Sequence, residues 1–102
     1  MTRTTSQDKV AGVGVTHIER VFGLLRDKLP RVFEANRYFE ERTGLHNQAG
    51  TNNIVDAFSH LATLVEHGDE LDDYAQGEQV AHLEDHLRRS MMEAFEQVVK
   101  LR

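Results

Sequence analysis

The 102 residues include no cysteine, no tryptophan and one proline, Pro30. Without cysteine there is no disulfide framework, no thiolate zinc site and no cysteine nucleophile. No apolar run approaches the ~20 residues that a membrane-crossing helix needs. The apolar stretch at residues 10–15 is too short and glycine-rich for a signal-peptide core. The expected setting is therefore cytoplasmic, with no membrane partner.

Lysine and arginine are absent from residues 43–87, which hold nine acidic groups and five of the six histidines. The cations lie on the flanks, among them Arg20, Arg26, Lys28, Arg31, Arg37 and Arg42 before this segment, and Arg88, Arg89, Lys100 and Arg102 after it. With a formal net charge of -5, general binding to nucleic-acid phosphate is not expected. The opposed charges of the two regions suit head-to-tail or antiparallel packing. Protonating every histidine would carry the formal charge from -5 to +1, which makes association a candidate for pH control.

What is present is helical periodicity. Ile18, Phe22, Leu25, Leu29, Val32, Asn36 and Phe39 recur at alternating intervals of four and three, a heptad seam interrupted by one amide. Thr16 and Glu19 have capping-box spacing, so the first helix is expected from about residue 17. Pro30 removes a helical donor and crowds the preceding turn, which predicts a kink. Thr43 and Gly44 mark the end of this helix.

Residues 44–50 read as a loop, and Thr51, Asn52 and Asn53 each offer an N-cap. Ile54, Ala57, Phe58, Leu61, Leu64 and Val65 then share a broad apolar face, and Gly68 marks a stop. From about Glu78 the pattern Val80, Leu83, Leu87, Met91, Ala94, Val98 and Leu101 predicts a long last helix. Glu84 with Arg88 and Asp85 with Arg89 would support its outer face.

The expected architecture is one all-α domain, an antiparallel bundle of three principal helices at 16–102 behind a flexible arm at 1–15. The two long helices pack antiparallel, and the bundle is oligomeric. Its expected function is a noncatalytic oligomerisation or adaptor module, with the chain itself, and another protein, as partners and no cofactor. The interface residues are Ile18, Phe22, Leu25, Leu29, Val32, Asn36, Phe39, Val80, Leu87, Met91 and Val98. An amide at the heptad position of Asn36 costs stability and fixes register, so Asn36→Leu is expected to stabilise the assembly and loosen its register.

Two chemical readings compete with the module. Glu66, Asp69, Glu70 and Asp73 have Glu-x-x-Asp spacing. Over about eight residues this resembles the magnesium-binding segment of all-helical nucleotide pyrophosphohydrolases of the MazG kind. That family also carries an upstream Glu-Glu-x-x-Glu, whereas Glu40-Glu41 is followed here by Arg42, Thr43 and Gly44. The resemblance would make the chain a magnesium-dependent hydrolase whose carboxylates converge inside the bundle.

The other reading is a pH- or metal-responsive assembly through His60, His67, His82 and His86. His82 and His86 have the i, i+4 spacing of a shared metal site and need a third ligand from another element or another copy. Glu-x-x-His, the inward pair of di-iron bundles, occurs nowhere in the chain.

Overall fold

The computed structural model describes residues 9–100 apart from residue 11. A two-stranded antiparallel hairpin, β1 (Lys9–Val10) with β2 (Val13–Gly14), comes first. Helix α1 (Val15–Gly23) runs through a π-helical segment, Leu24–Lys28, into α2 (Leu29–Thr43). Helix α3 (Gln48–His67) ends in a 3-10 turn, Gly68–Glu70, and α4 (Asp73–Lys100) completes the chain. The fold is all-α in its packing, as the periodicity predicts.

The π segment sits where Pro30 requires it. Proline at the second position of α2 cannot donate to the preceding turn and presses on its carbonyl. Widening that turn resolves the conflict, and the Leu29 N–H accordingly reaches back five residues to the Leu24 carbonyl.

Paired residues fix the direction of each helix. Gly14 with Gln76, Arg20 with Glu84 and Asn36 with Ser90 rise together in number, so the first and last helices run parallel. Gly50 with Ser90, Asn53 with His86 and His60 with Gln79 run in opposite order, so α3 is antiparallel to α4. The expectation of antiparallel first and last helices is corrected by these pairs. The short connection at 44–47 turns the chain back once, and the turn at 68–72 does so again.

Helix α4 organises the core through its own heptad seam. Gln76, Val80, Leu83, Leu87, Ser90 and Ala94 follow intervals of four and three, and each is at most 1% exposed. Both α3 and α2 pack on α4, with little direct contact between them. Val21, Leu24, Val32, Ala57 and Leu64 close the main core, with Ile18, Leu25, Leu29, Ile54, Leu61 and Met91 at its margin. A smaller cluster of Ala35, Phe39 and Ala94, flanked by Met91 and Val98, continues it.

Several local expectations change. Gly14, not Thr16, is the N-cap of α1, and no side chain caps it. Asn47 caps α3 by accepting from Gly50 N at 3.0 Å, ahead of the three candidates at 51–53. Helix α4 begins at Asp73, five residues before Glu78, where Asp72 Oδ1 accepts from Ala75 N at 2.8 Å. Gly44 ends α2 as expected, with φ of 70° and its N–H on the Glu40 carbonyl.

Part of the expected arm, residues 9, 10 and 12–15, is structured. Val13 is buried, and Gly12, with φ of 84°, lies against the Asp69 backbone so closely that a Cβ would stand 2.8 Å from Asp69 N. Residues 1–8 of that arm, and Leu101 at the end of the expected last seam, lie outside the described residues.

Candidate interaction surface

The first seam finds its partner mainly inside one chain. Val32 and Phe39 are core residues, while Ile18, Leu25 and Leu29 pack at the core margin. Val80 and Leu87 are fully enclosed, and Met91 and Val98 are partly so. Phe22 alone of the set stands out, at 64% exposed. A contact between copies through the enclosed members would require this fold to open, so the expected interface largely becomes the intramolecular core.

Asn36 shows how the seam is locked. Its Nδ2 donates to the Val32 carbonyl at 2.9 Å and to Ser90 Oγ at 3.0 Å, and its Oδ1 accepts from Asn47 Nδ2 at 3.0 Å. Ser90 Oγ donates onward to the Gly50 carbonyl at 2.7 Å. An added Cβ on Gly50 would lie 2.5 Å from both Asn36 Oδ1 and Asn47 Nδ2, so glycine supplies the space for this network. The amide sets register, as its heptad position suggests, but within one chain.

A second buried hub, unanticipated from the sequence, is Gln76. Its Nε2 reaches the carbonyls of Gly12, Gly68 and Leu71 at 2.9, 2.8 and 3.1 Å, and its Oε1 accepts from Gly14 N at 3.0 Å. The hairpin, the end of α3 and the start of α4 are joined through this side chain. Beside it, Nε2 of His17 contacts Asp73 Oδ1 at 2.9 Å. Gly14 and Gly77 leave room for the imidazole ring.

The carboxylates of the hydrolase reading do not converge. Glu66, Asp69, Glu70 and Asp73 are all exposed. Glu66 and Glu70 flank His67 at 3.9 and 3.2 Å, while Asp73 turns to His17. Glu84 pairs across helices with Arg20 rather than with Arg88, and Asp85 holds both Arg88 and Arg89 at 2.8 Å. The hydrogen bond from Arg88, aided by the Arg89 charge, holds the Asp85 carboxyl below its ordinary range against a smaller opposing effect of burial.

Three of the four histidines singled out by spacing come together between α3 and α4. The His60 ring stacks on His82 with centroids 4.9 Å apart and on His86 at 5.3 Å. Nδ1 of His60 lies 2.7 Å from Gln79 Oε1, and Nδ1 of His86 lies 3.0 Å from Asn53 Oδ1. Amide oxygens only accept, so with these amide orientations both Nδ1 atoms are the donors, and Nε2 is the nitrogen that carries the lone pair in the neutral form of each ring. The faces stack rather than converge. Among the described residues no three His, Asp or Glu side chains are placed to hold one metal ion.

Uncovered apolar side chains also form a stripe on α3. Val55, Phe58, Ala62 and Val65 occupy successive turns of α3 at intervals of three, four and three, all facing solvent. Val55 is 59% exposed, Phe58 39% and Val65 68%. Phe58 and Val65 therefore leave the core face expected for them, because α3 is apolar over more of its circumference than α4 covers. On the opposite flank of α4, Tyr38 and Phe95 meet at 6.5 Å, with Arg42 over the Tyr38 ring. No family model matches the chain, and comparison with curated proteins and with solved structures finds no match.

Proposed function

We propose that this protein is a noncatalytic helical module that associates with itself and can serve as an adaptor for another protein. The observation that carries this reading is the α3 stripe Val55, Phe58, Ala62 and Val65, which has the spacing of a helix-packing seam and is left exposed by the described residues. The buried network around Asn36 and Ser90 supports it by holding α3 rigidly against α4 and α2, so that the stripe is presented without a large ordering cost. Sedimentation velocity of the parent chain against Phe58→Glu and Val65→Glu tests it. The parent should self-associate and the variants should weaken that association at least tenfold; equal association by all three would remove the stripe from the account.

A second reading, metal-responsive assembly, rests on the stacked His60, His82 and His86. Neighbouring Nε2 lone pairs are suitable donors for a zinc ion bridging two copies, with ligands supplied from each. Titrating zinc into the parent and into His60→Ala, read by calorimetry and sedimentation, separates it from the first. Zinc-dependent assembly lost in His60→Ala supports this reading; identical zinc responses in the two proteins remove it.

A further inference from the structure

The same α4 that supports the stripe on one flank opens a groove on the other. Its upper part, about 70 Å³, is lined by Lys28, Val32, Glu84, Leu87, Arg88 and Met91. Met91 carries it into a wider cleft of about 550 Å³, where Ala35, Tyr38 and Phe95 form an apolar floor between Arg31, Glu34, Arg37 and Glu41. We propose that the α3 stripe of one copy seats in this α2–α4 groove of a second copy. The inference rests on the self-association reading and deepens it by naming the receiving surface.

Length and charge both select this pairing. Val55 to Val65 spans about 15 Å of helix, and the groove from Leu87 to Phe95 runs about 12 Å along α4. Helix α3 carries Asp56 and Glu66 and no lysine or arginine. Of these, Glu66 borders the stripe. Along the groove, Arg88, Arg37 and Glu84 are paired with Asp85, Glu41 and Arg20, which leaves Lys28 and Arg31 against Glu34, a cationic excess that complements the acidic helix.

The groove cannot take the stripe of its own chain. Helix α3 already packs on the side of α4 that carries Gln79 and His86, whereas the groove lies on the side of Arg88, Met91 and Phe95. Docking of stripe into groove is therefore between copies. Reciprocal exchange closes a dimer, and one-way exchange builds a chain or ring.

Complementation tests the proposal. One protein carries Phe58→Glu with Val65→Glu, which breaks the stripe; the other carries Tyr38→Glu with Phe95→Glu, which breaks the groove. All four positions are exposed, and circular dichroism checks that each protein keeps the parent helicity. Each alone should be monomeric where the parent associates, and an equimolar mixture should form a one-to-one complex from the intact stripe of one and the intact groove of the other. Self-association of the groove-broken protein at parental strength would overturn the docking while leaving self-association itself standing. A mixture that stays monomeric would also overturn the docking, and a monomeric parent would overturn both readings.

Because the chain lacks cysteine, a second measurement avoids the charged substitutions. Val65→Cys and Phe95→Cys proteins are mixed with a short bis-maleimide linker. Preferential formation of the mixed product supports the docking, and a statistical distribution of mixed and like pairs contradicts it.

Discussion

Asn36 of α2 and Ser90 of α4 meet at 3.0 Å, amide donating to hydroxyl, and that hydroxyl in turn donates a hydrogen bond to the Gly50 carbonyl of α3 at 2.7 Å. One short chain of hydrogen bonds thereby sets the register of three helices. Asn36→Leu would leave Asn47 Nδ2 without its buried acceptor, take from Ser90 Oγ the donor it accepts from while its own bond to the Gly50 carbonyl remains, and place a branched side chain beside Gly50. It should cost about 2–3 kcal/mol in urea unfolding. This reverses the stabilisation expected when the seam is read as a contact between copies.

Gly50 provides a sign test of the same network. On helix propensity alone Gly50→Ala should gain about 1 kcal/mol. With the new methyl 2.5 Å from two amide atoms, it should instead lower stability by about 2 kcal/mol or more. Chemical denaturation of this single variant distinguishes the two effects by sign.

Gln76→Leu should separate the hairpin from the helical body. The substitution removes the acceptor for Gly14 N and the donor shared by three carbonyls. Hydrogen exchange should show the Gly14 amide losing its protection in the variant, with global stability reduced by about 3 kcal/mol. Unchanged exchange at Gly14 would show that the hairpin is held by Val13 packing alone.

Much of this fold was legible because its helices follow simple periods. The seam through Val32 and Phe39, the disturbance at Pro30 and the stop at Gly44 are all local signals. Gln76 and Ser90 were harder because polarity masked their phase. They continue the Val80, Leu83, Leu87 and Ala94 heptad in step, but a reading that counts only apolar residues starts at Val80 and passes over Ser90 to Met91. Phe58 and Val65 show the converse limit. Periodicity identifies an apolar arc on α3, and only tertiary packing decides which part of that arc α4 covers. The meeting of His60 with His82 and His86 likewise depends on the antiparallel register of α3 and α4, which no spacing within one helix specifies.

Asp85 gives a pH signature. Its carboxyl, held mainly by Arg88, titrates below the ordinary aspartate value of 3.8. A lowered folded value means that the contribution to stability is present above about pH 3.8 and is lost as pH falls through the lowered value. Carboxyl-carbon NMR should place the Asp85 midpoint below 3.8, and Arg88→Ala should move it upward. An unmoved midpoint would assign the effect to Arg89.

Sedimentation velocity of the parent chain over low to high micromolar concentration tests the central claim most directly. The α3 stripe predicts a weight-average mass that climbs with concentration toward at least twice the chain mass, and a Phe58→Glu, Val65→Glu protein that stays near one. A parent that remains monomeric across the whole range would contradict the assignment of this protein as a self-associating module.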